Sequence, residues 1–136
     1  MNRMYELAIV TEPRQTDEDV KAICDRMKEL IEQSGSQIFH EDDWGKRKLA
    51  YPIRKFTEAR YNFFYVAARD GVVPGWDTIE RLLQQDERVL RYLVVRTDED
   101  LKRAYRKGKV YPEVPGMTEE ELRAFLGVPA AEEEAN

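Results

Sequence analysis

Within its first 97 residues the chain switches its hydrophobic period from two to about 3.6 and back, twice, and this rhythm leaves few folds open. Residues 4–11, "MYELAIVT", alternate: Tyr5, Leu7 and Ile9 point one way, Glu6, Ala8 and Val10 the other, and Pro13 closes the strand. In "TDEDVKAICDRMKELIEQSGS" either Thr16 or Asp17 can cap a helix with an acidic first turn. Val20, Ile23, Cys24, Met27, Leu30 and Ile31 form its apolar stripe, and Gly35 ends it. Alternation returns weakly near Ile38, clearly at Leu49, Tyr51 and Ile53, and most strongly in "YNFFYVAA". There Tyr61, Phe63, Tyr65 and Ala67 oppose Asn62, Phe64, Val66 and Ala68. After a turn at Gly71, Trp76, Ile79, Leu82 and Leu83 mark a short amphipathic helix, and "RVLRYLVVRT" reads as a fourth strand.

The order is therefore β-α-β-β-α-β, the split βαβ arrangement of α+β proteins. Two right-handed crossovers around one hairpin give a four-stranded antiparallel sheet with the first and third strands central and two helices on one face. Pro52 has no N–H for a ladder, which suits the second strand to an edge. The second sheet face stays open. A length of 136 residues fits one such domain, 1–97, with a C-terminal extension, 98–136. The extension is charged and reads as flexible, except that Thr118 and Glu121 form a capping box ahead of Leu122, Phe125 and Leu126, predicting a short helix near 118–126.

Charge divides the chain in the same place. The net charge is −5, but the extension holds ten acids and six bases, leaving the first 97 residues close to neutral with clustered cations. The stretch "DDWGKRKLAYPIRK" concentrates Lys46, Arg47, Lys48, Arg54 and Lys55 around Leu49, Tyr51 and Ile53. Such a local patch can hold phosphates on an acidic molecule, because fields are screened over roughly 8–10 Å.

Reaction chemistry finds little support. His40 is the only histidine and Cys24 the only cysteine, which excludes two-histidine metal motifs, intrachain disulfides and thiolate zinc sites. Cys24 falls within a helical apolar stripe and reads as a small buried hydrophobe. No glycine-rich phosphate loop or EF-hand spacing occurs, and the acidic runs at 41–43 and 98–100 read as solvated. No cofactor, metal or small-molecule substrate is expected. No apolar run approaches the roughly 20 residues that cross a membrane, so a soluble intracellular protein with no membrane partner is the expectation.

Function must then lie on surfaces. Phe64, Val66, Leu93 and Val95, with Ala8 and Val10, are expected to form an apolar patch on the open face, suited to a protein contact or to cover by Leu122 and Phe125. Arg3, Arg91 and Arg96 fall on neighbouring strands and Lys46, Arg47 and Lys48 on the far edge, placed for phosphate contacts or simply guarding strand edges. The run "KRAYRKGK" at 102–109 could track a nucleic-acid backbone.

Four segments also carry a resemblance: "MYELAIV", "WGKRKLAYPI", "ARYNFFYV" and "DERVLRYLVVRT", in unbroken order over residues 2–97. Together they resemble the bacterial small-subunit ribosomal protein six family, most specifically through Gly45, Arg47, Leu49, Ala50, Tyr51, Pro52 and Ile53. The resemblance implies a ferredoxin-like fold and no catalysis. It further implies binding to the central domain of small-subunit (16S) ribosomal RNA, together with the small-subunit ribosomal protein numbered eighteen, in assembly of the subunit platform. Carried onto this chain, the resemblance implies RNA contacts at Arg3, at Arg47 within "GKRK" and at Arg91; the strand reading adds Lys46, Lys48 and Arg96 to the expected RNA-binding set. The protein partner is expected on Leu49, Tyr51, Phe64, Val66, Leu93 and Val95, with Leu49, Tyr51 and Ile53 packed toward the helices. The chain departs from the family pattern at "MNRMYE", where Arg3 stands alone before the strand, and in its long extension. The alternatives are a ferredoxin-like homodimeric ligand-binding or regulatory module and a homodimeric scaffold, since this architecture hosts many functions.

Overall fold

A computed structural model describes residues 1–107 and 114–128. The elements are β1 (Arg3–Thr11), α1 (Asp17–Gln33), β2 (Gln37–Ile53), β3 (Phe56–Ala68), α2 (Trp76–Gln85), β4 (Val89–Arg96), α3 (Asp98–Arg106) and α4 (Glu119–Leu126). The sheet order is β2-β3-β1-β4 with every neighbouring pair antiparallel, so β1 and β3 are central and β2 and β4 are edges. This is the split βαβ topology that the alternating periods imply.

Local chemistry sets the helix boundaries. Thr16 caps α1: its hydroxyl accepts from the Asp19 N–H at 3.1 Å while the Asp19 carboxylate accepts from the Thr16 N–H at 3.3 Å. Asp17, Glu18 and Asp19 then face the positive end of the helix dipole. The stripe Val20, Ile23, Cys24, Met27 and Ile31 packs on Tyr5, Leu7 and Ile9 of β1, on Phe64, Val66 and Ala68 of β3, and on Ile79 and Leu83 of α2. Leu7, Ile9, Ile31, Val66 and Ile79 are fully enclosed, each contributing about 1.5–3 kcal/mol of burial.

β2 departs from a regular strand. Its ladder with β3 shifts between Ile38 and His40, between Asp43 and Gly45, and between Lys48 and Ile53, where Pro52 stands. Each extra residue reverses which face the following side chains occupy. Beyond the second shift the β2–β3 hairpin bends across the sheet end, and Leu49, Ile53 and Phe56 pack with Val10, Ala59, Tyr61 and Leu90. Val10 and Tyr61 belong to the face away from the helices, so Leu49 and Ile53 do not pack toward α1 and α2 as the alternation suggested. Tyr51 is exposed rather than packed.

The segment after Thr97, expected to be flexible, forms a second core in its described part. Asp98 starts α3 fully buried, accepting from the Met4 N–H at 3.1 Å and from Arg96 Nε and Nη2 at 2.9 Å. Leu101 and Tyr105 of α3 and Leu122 and Leu126 of α4 enclose Met4, with Phe39 and Phe125 against them. Thr118 caps α4 by a reciprocal pair with Glu121. Gly116 makes the approach possible: a Cβ there would lie 2.3 Å from the Phe39 carbonyl oxygen, and its φ of +81° suits glycine. The run from Lys102 to Arg106 lies within α3, with Lys102 buried and the Arg123 guanidinium 4.3 Å from the Tyr105 ring centroid, so this part is a packed helix and not a free arm. Residues 108–113 and the acidic 129–136 lie outside the described residues.

Candidate functional site

Register decides which side chains the open face carries. Leu7 lies opposite Phe64 and Val94, so Phe64 and Val66 share the helix-covered side and are 2% and 0% exposed. Their expected place in the open patch is therefore wrong. Both faces of "YNFFYVAA" are apolar, so alternation defines two sets without saying which is buried. The hydroxyls of Tyr61 and Tyr65 are the clue: the face with the polar handles is the half-solvated one.

The face away from the helices is built in rows. His40, Tyr65, Glu6 and Val95 cross the sheet together, and Asp42, Phe63, Ala8 and Leu93 form the next row. Leu93 and Val95 are 58% and 40% exposed, which agrees with the alternation of β4. Trp44 projects from the irregular part of β2, half exposed, with its ring centroid 4.4 Å from that of Phe63; Phe63 in turn stacks near Tyr61 at 6.3 Å. The C-terminal helices close one end of this face over Met4, and the bent hairpin closes the other over Val10 and Tyr61. Between them lies a trough with an apolar, aromatic floor.

In the two middle rows the described carboxylates are Glu6 and Asp42. Burial, and then the neighbouring Asp42, push the Glu6 carboxyl above its ordinary range. Burial also raises the Tyr65 phenol, with Glu6 and Asp42 adding to the effect. Asp42 meets His40 Nε2 at 2.9 Å. Glu6, Tyr61, Phe63 and Tyr65 share one side through the regular β1–β3 register but were not assigned to the open face, and Asp42 and Trp44 join them only through the irregular β2 ladder. The trough suits an apolar, basic protein surface better than a polyanion.

Cations gather elsewhere. Arg91 lies opposite Val10, which lies opposite Tyr61, and Tyr61 pairs with Gly45, so Arg91 shares one sheet end with Lys46, Arg47 and Lys48. The three hairpin cations are exposed; the Arg47 Nε donates to the Trp44 carbonyl at 3.2 Å and its guanidinium lies 5.8 Å from the indole centroid. Arg91 donates to the Tyr51 hydroxyl and lies 5.3 Å from that ring, which fixes Tyr51 across the hairpin. Arg54 and Lys55 form the hairpin tip, both exposed. Arg3 and Arg96 are not part of this cluster: Val10 is seven residues along β1 from Arg3, roughly 23 Å away. Arg96 is held by Asp98 and by Glu99 at 3.2 Å, whereas Arg3 is exposed.

Among the described residues, no group of three His, Cys, Asp or Glu side chains could hold a metal ion, and no helix is long and apolar enough to cross a membrane. Burial, with a smaller effect of nearby Asp25, Asp43 and Glu41, pushes the Cys24 thiol up to about 12, leaving it a protonated core residue at neutral pH.

The comparison with known proteins is decisive. The family model described as Ribosomal protein S6 matches residues 4–96. The chain belongs to the ribosomal protein S6 family. It is 40% identical over 98 residues to small ribosomal subunit protein bS6 of Caldanaerobacter subterraneus subsp. tengcongensis, covering 71% of this chain and 99% of that protein. Identity to bS6 of Trichlorobacter lovleyi is 39% over 102 residues, covering 74% of this chain and 81% of the relative. The solved structure of 30S ribosomal protein S6 from Thermotoga maritima superposes with a TM-score of 0.67 at 26% identity, covering 79% of this chain and 98% of that one. The S6 family is structural and not enzymatic, and its ferredoxin-like fold is the one described above. The S6 family match ends at Arg96, so α3 and α4 lie beyond it.

Proposed function

We propose that this S6-family chain is a structural constituent of the small ribosomal subunit in the cytoplasm. Its basic hairpin end holds the central domain of 16S ribosomal RNA, while its open face seats the small-subunit protein numbered eighteen. One observation carries the reading: cations and exposed apolar surface are segregated on the same rigid sheet. Lys46, Arg47, Lys48, Arg54, Lys55 and Arg91 gather at one end, and Leu93, Val95, Phe63 and Trp44 line the face. Phosphates take the first surface and a protein takes the second. A homodimer with its two-fold axis through the middle of the open face is disfavoured, because it would set the Glu6 and Asp42 carboxylates of the two copies against each other.

The test is binding of the full chain to a central-domain RNA fragment, with and without the protein numbered eighteen, over a salt series. The expected result is weak binding alone and tight, salt-sensitive binding with the partner. Neutralising three phosphates gives log K against log salt a slope of about −2 to −3. No binding under either condition, with a stable homodimer in solution, would reject the reading.

A further inference from the structure

Where the open face meets the C-terminal helices there is a pocket of about 290 Å³. Met4 and Phe39 line it from the sheet, Leu101 from α3 and Val114 from the turn before α4. Among the described residues its charged lining has one sign: Glu6 enters from β1 and Asp100 from α3, with no cation beside them. Asp100 has an exposed partner, Arg103, at 3.6 Å, whereas no ion-pair partner reaches the Glu6 carboxylate among the described residues. Half-buried and close to Asp42, Glu6 is held in an uncompensated negative setting.

An apolar pocket with carboxylates on its lining fits a long side chain that is greasy along its stem and cationic at its tip. We propose that it receives one lysine or arginine side chain of the protein bound on the open face, a proposal that rests on the reading above. The stem lies against Phe39, Leu101 and Val114, and the cation meets Glu6 and Asp100. Asp100, Leu101 and Val114 all lie beyond residue 96, where the S6 family match ends. The extension is thus half of the recognition pocket, and it sets which basic residue of the partner this chain accepts.

The experiment measures the affinity of the full chain for the protein numbered eighteen by calorimetry, comparing wild type with Glu6→Gln and Asp100→Asn. Glu6→Gln keeps the shape and removes the charge that repels Asp42. It should weaken partner binding about tenfold or more, while the free chain unfolds at the wild-type temperature or above. A damaged fold would lower both, so the opposed signs identify a binding role. Changing the partner's lysines and arginines singly should reveal one whose loss is non-additive with Glu6→Gln. Wild-type affinity in both variants overturns the pocket and leaves the partner reading intact. Absence of binding by the wild type, with or without RNA, overturns both. A change in self-association instead of partner affinity makes a second copy the occupant and overturns the proposal.

Discussion

Substituting Lys55 by glycine should stabilise the free protein and weaken its hold on RNA at the same time. Ile53 pairs with Phe56, so only Arg54 and Lys55 join β2 to β3, with φ of 49° and 70°. That left-handed pair is the geometry of a type I′ hairpin turn, which favours Asn-Gly. A side chain in the left-handed region costs about 1–2 kcal/mol, whereas glycine adds roughly 0.5–1 kcal/mol of unfolded-chain entropy. The net gain for Lys55→Gly is about 0.5–1 kcal/mol, or about 2–4 °C in Tm for a chain of this size. Lys55 is exposed, so no packing is lost; Arg54 is the poorer target because its Nη1 donates to the Glu87 carbonyl at 3.0 Å. In urea titrations the midpoint should rise with unchanged m. Against the RNA fragment with partner present, affinity should fall and the salt slope become shallower by about one. A loss of stability would refute the strain argument, and an unchanged slope would show that the hairpin tip does not meet phosphate.

Three other outcomes are expected. Leu93→Asp should leave Tm nearly unchanged, since Leu93 is 58% exposed, yet reduce affinity for the partner protein at least tenfold in calorimetry. Gly116→Ala forces a Cβ onto the Phe39 carbonyl and should weaken docking of the C-terminal turn by about 2 kcal/mol, read as faster amide exchange in α4 and not in α1. Burial raises the Asp98 carboxyl, but hydrogen bonds from Arg96 and the Met4 N–H outweigh it and hold the group below its ordinary range. A depressed folded-state value stabilises above the unfolded pKa of about 3.9, and this contribution disappears as pH falls through the depressed value. Docking of α3 should therefore persist at about pH 5 and loosen in stronger acid, and Asp98→Asn should cost about 1–3 kcal/mol and flatten that acid limb in circular dichroism.

The sheet was legible because its signals are local. Alternation in "MYELAIVT" and "RVLRYLVVRT", the apolar stripe of α1 and the position of Pro52 each act within a few residues, and topology rules did the rest. The open face was only half legible. Leu93 and Val95 follow from a regular strand, but Phe64 and Val66 sit in a strand apolar on both sides, where burial depends on register with β1. The packing of Leu49 and Ile53 was hidden for another reason: alternation groups Leu49, Tyr51 and Ile53 without saying which side is covered, and only the ladder, in which Arg47 pairs with Ala59 on the side of Tyr61, turns Leu49 away from the helices. The extension misled through composition. Its charges are real, yet one buried carboxylate on Arg96 and a few apolar residues meeting Met4 suffice to dock α3 and α4.

Lysine acetylation footprinting separates a basic hairpin end that meets RNA from an open face that meets protein. The full chain would be probed free, with the protein numbered eighteen, and with that protein plus the central-domain RNA fragment. Lys46, Lys48 and Lys55 should stay reactive until RNA is added and then become protected. Lys21 and Lys28 on α1 should remain reactive throughout, while Trp44 fluorescence already changes when the partner binds. Protection of Lys21 and Lys28 by RNA, with Lys46, Lys48 and Lys55 still reactive, would contradict that division of surfaces.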